Sequence, residues 1–467
     1  MDVLELRLND QVTLAVPGHL DSITTYVLLE QEMWFEKELG FLSRWLKRGM
    51  TAIDIGANLG VYSLPMARLV GAQGRVFAYE PGSQARGLLE RSRAVNAAGN
   101  LQILGSALSD DEREGRLVFG ASTELHALGG DAGAGEAVHI TSLDRESAVQ
   151  GWNTPDFVKI DAEGEEERIL AGGRNFFERN SPLVMFEIKA GSGLNENLRA
   201  ALPAMGYGLF RALVGAPFLV AIDPRVPLDS YELNLFAAKP DRVRTLRDEG
   251  LLIEAVPRWK PDRQTVRSVV GNAAGIDPDY AEAMTAFAVW RSDNQPAQLR
   301  FAALVFACQT LSDLCNRAPS PARLSTYGRL AWEGGWRSEC VSVLSDLASH
   351  LERDGVQTRE PFWPASARYD DIAPGDDDPA LWFKAAVVEQ LERAQKFSSF
   401  FGGPSRLLTW LCEQPFASAE MHRRRTLAAA RAGANPGIEP CLKIDAPDNL
   451  NADIWRSGEV PGTRIDR

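Results

Sequence analysis

Acidic residues follow short apolar runs early in the chain, at positions where parallel strands would end. Asp54 lies in the run Thr51–Ile55 and is followed by Gly56 and Gly60, which bracket a turn into a predicted helix. Asn58 lies between the two glycines. Glycine lets the backbone approach a ligand closely, and the free amides at the start of the helix would face that ligand. The pattern therefore predicts a cofactor-binding loop, and an ordinary strand–turn–helix connection is the alternative.

A second acid, Glu80, ends the apolar run Arg75–Tyr79 and precedes Pro81. In dinucleotide-binding folds an acid at this separation from the glycine loop binds the ribose hydroxyls, which favours the same role for Glu80. The nicotinamide-binding fingerprint is G-x-G-x-x-G, whereas this loop reads D-x-G-x-x-x-G. That spacing looks like the first motif of the S-adenosylmethionine-dependent methyltransferases. An acid near the cationic sulfonium and amino groups of that cofactor is electrostatically favourable.

Charged residues also occur in and after a third predicted strand, Phe157–Ile160. The two-residue period of a strand places Lys159 and Asp161 on one face, before a turn at Glu163. Glu187 ends the next predicted strand. Charges in a central strand cost free energy unless they pair or act on a ligand, so these side chains are predicted to form a functional cluster at the ligand-binding edge of the sheet. A structural ion-pair cluster and a divalent cation held by the carboxylates are the alternatives.

Together the three motifs resemble those of the FkbM-type methyltransferases, which carry D-x-G-A-N-x-G, E-P after the second strand, and K-I-D-x-E-G-x-E. Here they are Asp54–Gly60, Glu80-Pro81 and Lys159–Glu166, and the resemblance extends over roughly residues 25 to 240. It implies an α/β fold, with a Rossmann-like methyltransferase sheet that is mostly parallel and has antiparallel closing strands. It also implies S-adenosylmethionine as the cofactor and transfer of its methyl group to a hydroxyl of a sugar, a glycan or a secondary metabolite.

The resemblance also suggests roles for individual residues. Asp161 and Glu163 are the candidates for the base that removes the acceptor's proton, with Lys159 holding Asp161 ionised and Glu187 orienting the acceptor or the cofactor's amino group. No metal ligand is required by the sequence. The residues predicted to bind the cofactor lie at the first three strand ends: Asp54, Gly56, Asn58, Gly60, Glu80, Ser106 and Ala107.

Two histidines flank a segment rich in glycine, alanine and serine, residues 120–137, which is predicted to be a mobile loop. His126 and His139 are secondary candidates for proton transfer, because imidazole titrates near neutral pH. A surface or packing role is the simpler interpretation of a single histidine.

The composition excludes several classes of protein. Of 467 residues, 45% are hydrophobic and 24% are charged, which is typical of a soluble globular protein. The net charge of −13, without a dense lysine and arginine stripe, argues against binding to a phosphate backbone. No apolar run is long enough to cross a bilayer, the N-terminus lacks a signal-peptide pattern, and the five cysteines include no C-x-x-C pair. We therefore predict a cytoplasmic protein that binds neither nucleic acid nor a membrane.

The domain prediction has three parts. Residues 1–50 are predicted to form a hairpin and a helix that belong to the catalytic domain, the hairpin turning at Asn9-Asp10 and the helix running from Ser22 towards Leu46. Residues 51–242 are predicted to form the S-adenosylmethionine-binding methyltransferase domain. Residues 243–467 are predicted to form a C-terminal all-α helical domain.

In the helical half, capping residues precede prolines at three predicted helix starts: Asp277-Pro278, Ser320-Pro321 and Asp378-Pro379. A helix pair around Gly334-Gly335 resembles a tetratricopeptide-like unit, but the helix starts are not evenly spaced. The segment after Pro436 is predicted to be weakly ordered. The tryptophans of this half are predicted to be core residues, with a sugar-binding surface as the alternative.

These observations predict an S-adenosylmethionine-dependent O-methyltransferase with a small-molecule or glycan acceptor. An N-methyl acceptor is one alternative. The alternative from another class is a catalytically inactive scaffold or binding protein that keeps the methyltransferase fold and acts through its helical domain. That domain would then serve as a packing or homodimer surface, or as a platform for an acceptor or a partner protein.

Overall fold

The computed structural model divides the chain into two compact units, neither of which is continuous in sequence. The first contains the residues up to 211, residues 232–248 and the residues from 426 onwards, and the second contains residues 212–231 and 249–425. The C-terminal residues after 425, which the sequence analysis placed in the helical domain, therefore pack with the first unit. The structure describes residues 2–118, 127–129, 135–190, 193–223, 225–270, 275–356, 358–374 and 378–463.

Short strands alternate with helices in the first half of the chain, and helices predominate in the second. In chain order the elements are β1 (Val3–Arg7), β2 (Thr13–Pro17), α1 (Ile23–Gln31), α2 (Glu38–Trp45), β3 (Thr51–Ile55), α3 (Ser63–Val70), β4 (Arg75–Tyr79), α4 (Ser83–Val95), β5 (Leu101–Leu104), β6 (Ala107–Ser109), β7 (Arg113–Val118), β8 (Ala127–Gly129), β9 (Glu136–Ser142), α5 (Leu143–Gln150), β10 (Phe157–Ile160), α6 (Glu166–Gly172), α7 (Arg174–Arg179), β11 (Leu183–Glu187), β12 (Lys189–Ala190), β13 (Gly193–Leu194), α8 (Glu196–Ala204), β14 (Gly208–Ala212), β15 (Leu219–Ala221), β16 (Asn234–Ala238), α9 (Pro240–Asp248), β17 (Leu252–Ile253), α10 (Arg263–Val270), α11 (Pro278–Trp290), α12 (Ala297–Arg317), α13 (Pro321–Glu333), α14 (Arg337–Asp354), α15 (Pro379–Gln395), α16 (Arg406–Cys412), α17 (Ala419–Arg431) and α18 (Ala452–Trp455).

The strands of the first unit form a mostly parallel sheet in the order β14-β16-β11-β10-β3-β4-β5. The strands β3, β4, β5, β10 and β11 are parallel, whereas β16 pairs antiparallel with both β11 and β14. The central strands are almost entirely buried, as expected of parallel strands covered by helices on both faces. The predicted fold class, a Rossmann-like sheet with antiparallel closing strands followed by a helical region, is confirmed.

The order of the strands reverses between β3 and β10. The chain continues from β3 through β4 and β5 on one side, and β10 and β11 lie on the other. Asp54 in β3 and Lys159 in β10 are partners in the pairing of these strands. Open α/β sheets bind ligands at the carboxyl ends of the strands next to such a reversal. The topology therefore places the predicted functional residues at the expected edge.

A second sheet, in the order β6-β9-β7-β8, has its own small core of Ala107, Leu117, Val138 and Ile140. The segment predicted to be a mobile loop, residues 120–137, contributes β8 and the start of β9 to this sheet. Residues 119–126 and 130–134 lie outside the described residues.

The N-terminal hairpin is confirmed, because β1 and β2 pair antiparallel from Val3 and Pro17 onwards. The predicted continuous helix from Ser22 towards Leu46 is wrong. Ser22 does cap α1, since its hydroxyl accepts a hydrogen bond from the Thr25 amide. The helix ends at Gln31, however, because the next residue, Glu32, is in a left-handed conformation with φ of 55°. Residues 32–37 then form a loop before α2 begins.

Three helices of the second unit begin where the sequence predicts them to begin. Asp277, Ser320 and Asp378 each accept a hydrogen bond from a backbone amide in the first turn of α11, α13 and α15. The core of this unit contains Trp382, and Trp332, Trp336, Trp363 and Trp410 pack against it while partly buried. These tryptophans are thus core residues rather than an open aromatic surface. Among the described residues, the helices include none that is both long and apolar enough to cross a membrane.

Residues 437–463, the described part of the segment after Pro436, are ordered, contrary to the prediction. Leu442, Asn449 and Trp455 are completely buried. The Asn449 side-chain amide donates to the carbonyls of Leu442 (2.9 Å) and Ile444 (2.8 Å), which fixes the turn that precedes α18. Asparagine side chains can close such turns by bonding to nearby backbone groups, without regular secondary structure. A polar composition therefore does not by itself indicate weak order in this segment.

Candidate active site

Asp54 is the most deeply buried acid of the cofactor loop. Its side chain is inaccessible to solvent, one carboxylate oxygen accepts from the Ser63 hydroxyl at 2.5 Å, and the other lies 3.8 Å from the Lys159 ammonium. Burial raises the pKa of Asp54, while Lys159 and Ser63 act in the opposite direction. The buried Asp54 side chain thus connects β3 to α3 through Ser63 and to β10 through Lys159.

Lys159 connects the two acids nearest the reversal of strand order. Its ammonium lies 2.8 Å from an Asp161 carboxylate oxygen and 5.1 Å from the centre of the Tyr62 ring. Burial disfavours the charged ammonium, but the attraction of Asp161 and Asp54 outweighs it and raises the pKa of Lys159 above its usual value. The predicted pairing of Lys159 with Asp161 is confirmed.

The glycine loop is shaped by close packing within the protein. Gly56 has φ of 79°, and a Cβ atom there would lie 1.7 Å from the Asp161 carbonyl oxygen. At Gly60, with φ of 92°, a Cβ atom would lie 2.4 Å from Leu89 and 2.7 Å from Leu64. Both positions therefore need glycine to bring the loop against β10 and α4. The close contacts are thus with the protein itself, whereas the sequence predicts the close approach of a ligand.

Glu80 lies next to the glycine loop, as predicted from its place after β4. Its carboxylate accepts from the backbone amides of Asn58 (2.8 Å) and Gly82 (2.7 Å). Burial raises the pKa of Glu80 to about 7, although these amides and Arg86 favour the ionised form. The Asn58 side-chain oxygen is also buried and has no hydrogen-bond partner among the described residues. The Glu80 carboxylate and the Asn58 oxygen are thus both candidate acceptors for hydroxyl donors at this loop.

Glu187 ends β11 in the neighbourhood of the other carboxylates. Burial, reinforced by the charges of Asp161 and Glu163, raises the pKa of Glu187 to about 9. At neutral pH this side chain is therefore mostly protonated and can donate a hydrogen bond. Glu163 is exposed and adopts a left-handed conformation with φ of 50°, immediately before Gly164. The turn is held by Glu166, which accepts from the amides of Ala162 (2.9 Å) and Gly164 (3.1 Å).

Three residues that the sequence analysis missed complete this group. Glu36, from the loop between α1 and α2, accepts from the Tyr62 hydroxyl and from the Asn234 side-chain amide, the latter at 3.0 Å. Asn234 pairs with Glu187 across β16 and β11. Burial raises the pKa of Glu36, with Asp161 acting in the same direction and Tyr62 in the opposite one. The only sequence signal was an acid in a run of aromatic residues, Trp34-Phe35-Glu36.

The remaining candidates lie elsewhere. Ser106 is half-buried in the turn after β5, and the Ala107 side chain packs into the core of the second sheet. His139 lies on the exposed face of that sheet, with its Nδ1 atom 3.1 Å from a Glu114 carboxylate oxygen. His126 falls outside the described residues.

The residues at the sheet edge suit a cofactor with cationic and hydroxyl groups. Lys159 interacts with the carboxylates of Asp161, Asp54 and Glu36, and Glu163 lies near Asp161 on the same turn, so acids outnumber this one cation and favour a sulfonium or ammonium group electrostatically. Glu80 and the unsatisfied Asn58 oxygen suit the ribose hydroxyls. In the described part of the chain, no group of three or more histidine, cysteine, aspartate or glutamate side chains is arranged to hold a metal ion.

Residues 54–209 match the family model of the methyltransferase FkbM domain. The chain therefore contains a domain of this family, which confirms the resemblance drawn from the three motifs. The match also confirms S-adenosylmethionine as the predicted cofactor. A search of curated proteins found no significant match.

Solved structures with a similar arrangement include a methyltransferase FkbM from Methylobacillus flagellatus KT, with 17% identity and a TM-score of 0.29. The alignment covers 40% of this chain and only 43% of that one. An S-adenosylmethionine-dependent O-methyltransferase from Thermotoga maritima has 16% identity and a TM-score of 0.26, over 44% of this chain and 64% of that one. SMU.1697c from Streptococcus mutans, solved in complex with SAH, has 10% identity and a TM-score of 0.26, over 43% of this chain and 94% of that one. Because the scores are low, the assignment rests on the family model.

Proposed function

We propose that the protein transfers the methyl group of S-adenosylmethionine to a hydroxyl oxygen of a neutral, polyhydroxylated acceptor, with sugars and glycans as the favoured class. The observation that carries the proposal is the group of acids at the carboxyl ends of β10 and β11, next to the glycine loop of a methyltransferase domain. Glu80 and the loop residues Gly56, Asn58 and Gly60 would hold the cofactor.

The cofactor supplies an electrophilic methyl group, so the chain has to align the acceptor and remove one proton. Asp161 is the best-placed base. One of its carboxylate oxygens is held by the Lys159 ammonium at 2.8 Å, and its side chain remains 33% exposed, so the second oxygen can receive the proton that the acceptor hydroxyl loses. The ion pair with Lys159 fixes the position of the Asp161 carboxylate for this step. Glu163 is the alternative base on the same turn.

The electrostatics of the group favour a neutral acceptor. An anionic acceptor would be repelled by Asp161, Glu163 and Glu36. A protonated amine would be attracted but lacks the lone pair that attacks the methyl carbon. A sugar offers several hydroxyl donors to the carboxylates, and Glu187, protonated at neutral pH, can donate to a further oxygen.

The test is methyl transfer from radiolabelled S-adenosylmethionine to a panel of monosaccharides, glycans, amines and phosphorylated sugars. We expect Asp161→Asn to lower kcat by roughly 10²–10⁴-fold, because the asparagine cannot accept the proton, and to weaken cofactor binding by a much smaller factor, because one of several nearby negative charges is lost. Glu167→Gln, an exposed acid on α6, is the matched control. If kcat were unchanged in Asp161→Asn and fell about tenfold in Glu163→Gln, Glu163 rather than Asp161 would be the base. Transfer only to amines would contradict the proposed acceptor class.

A further inference from the structure

The C-terminal segment reaches the loop that carries Glu36. The buried Glu32 carboxylate, only 3% exposed, accepts hydrogen bonds from the amides of Leu450 (2.7 Å) and Asn451 (3.0 Å) and from the Asn451 side chain (2.9 Å). More than 400 residues of chain separate the donors from the acceptor. A buried carboxylate that lost these donors would be strongly destabilised, so the contact is an anchor for both segments.

Asn451 is itself fixed to the N-terminal hairpin. Its side-chain oxygen accepts from the Arg7 amide at 2.8 Å, and its side-chain nitrogen donates to the Arg7 carbonyl at 2.9 Å. Asn451 is 2% exposed and Asn449, which closes the preceding turn, is completely buried. One amide side chain thus joins β1, the end of α1 and the C-terminal segment.

Glu32 is the first residue of the loop that ends at Lys37. The loop is anchored at its far end by the ion pair between Lys37 and Glu232, at 2.5 Å. Glu36 lies between the two anchors and contacts Tyr62 and Asn234 in the candidate active site. Both ends of the loop that carries Glu36 are thus held by side-chain contacts.

We propose that residues 449–451 are a positioning element of the active site, which holds Glu36 against Tyr62 by anchoring Glu32. Asn451 and Glu32 are positioning residues, since they act through Glu36. The consequence for catalysis rests on the proposed function, whereas the structural part does not.

The structural part is tested in the full chain by labelling carboxylates with a carbodiimide and glycine ethyl ester, followed by mass spectrometry of the peptide that contains Glu36. We expect Asn451→Ala to increase the labelling of Glu36 at least about threefold, because the loop opens locally when one end is released. The matched control is Arg456→Ala, which removes an exposed ion pair with Asp445 in the same segment. Equal labelling of Glu36 in wild type and Asn451→Ala would overturn the proposal.

The catalytic part is tested by a double-mutant cycle on kcat, with the acceptor of the panel that gives the fastest turnover. If Asn451 acts through Glu36, Asn451→Ala should slow transfer roughly tenfold in the wild-type background and have almost no effect in Glu36→Gln. If the factors by which the two single substitutions lower kcat multiply in the double variant, Asn451 does not act through Glu36. That result would indicate a general structural role and overturn the proposal that Asn451 positions Glu36. A wild-type chain that binds no S-adenosylmethionine would contradict the proposed function instead, and the labelling would still decide whether Asn451 holds Glu36.

Discussion

Lys159 provides the sharpest test of the electrostatics of the site, because its ammonium lies near both the buried Asp54 and the partly exposed Asp161. Its side chain is 4% exposed and that of Asp54 is 1% exposed. Lys159→Met keeps most of the apolar stem and removes the charge. The Asp54 carboxylate would then remain buried without a cationic partner among the described residues, and would keep its hydrogen bond from the Ser63 hydroxyl.

The expected magnitude follows from the two contacts of the ammonium. Breaking a buried ion pair by removing one partner costs about 3–5 kcal/mol. The Asp54 contact is buried but long, at 3.8 Å, and the 2.8 Å contact with Asp161 is partly solvated, so the lower end of that range applies. A loss of about 3 kcal/mol corresponds to a decrease of roughly 6–12 °C in the unfolding midpoint of a domain of this size.

The loss should depend on pH. The pKa of Asp54 is already raised by burial, and removing Lys159 raises it further. A group whose folded-state pKa is raised contributes stability below its ordinary pKa and loses it as the pH rises through the folded value. The raised pKa of Lys159 means that its own contribution is fully present only below the ordinary lysine pKa of 10.5. The destabilisation by Lys159→Met should therefore be greatest in mildly alkaline buffer below that pH and decrease on acidification.

The assay is thermal unfolding by circular dichroism at several pH values. Arg91→Met, which breaks an exposed pair with Glu5 at 2.8 Å in the same unit, should change the midpoint by little, because such pairs contribute about 0–1 kcal/mol. Adding Asp54→Asn to Lys159→Met should restore part of the loss. A Lys159→Met midpoint equal to that of wild type in mildly alkaline buffer would refute the reasoning, as would a loss that grows on acidification.

Two further predictions concern Glu187 and the glycine loop. The folded-state pKa of Glu187, about 9, is raised, so wild type should lose stability as the pH rises from about 4.5 to 9, and Glu187→Gln should lose less over that range in chemical denaturation. The same slope in both chains would argue against a protonated Glu187. Gly56→Ala places a Cβ atom 1.7 Å from the Asp161 carbonyl oxygen, whereas Gly49→Ala has a similar positive φ but no atom within 4 Å. Gly49→Ala should therefore cost only the backbone strain of about 1–3 kcal/mol, and Gly56→Ala should cost more and abolish cofactor binding in calorimetry. Equal effects of the two substitutions would show that the close contact is unimportant.

The sheet and its functional edge could be predicted from the sequence because their signals are local. Strand β4 ends at Tyr79 as predicted, and β10 carries Lys159 and Asp161 towards the same edge as Asp54. Apolar runs of strand length, each followed by an acid or a glycine, suffice for this inference. The pairing of Asp54 with Lys159 follows from parallel strands in adjacent positions.

The loop that carries Glu36 could not be predicted because its conformation depends on distant residues. The sequence from Ser22 to Leu46 is compatible with one helix, and the helix ends at Glu32, whose carboxylate is bound by residues 450 and 451. Tertiary contacts override local helix propensity at such a position. Asn234 enters the site through the pairing of β16 with β11, which no local pattern near either strand specifies.

The central claim, that the edge next to the glycine loop binds S-adenosylmethionine, is tested most directly by calorimetric titration of the full chain with this cofactor. Glu80→Ala is the test variant and Glu90→Ala, an exposed acid on α4, is the control. We predict that wild type and Glu90→Ala bind with the same affinity, and that Glu80→Ala binds roughly 10–100-fold more weakly, the effect of losing hydrogen bonds to a charged group. Failure of the wild-type chain to bind, or equal binding by Glu80→Ala, would contradict this claim.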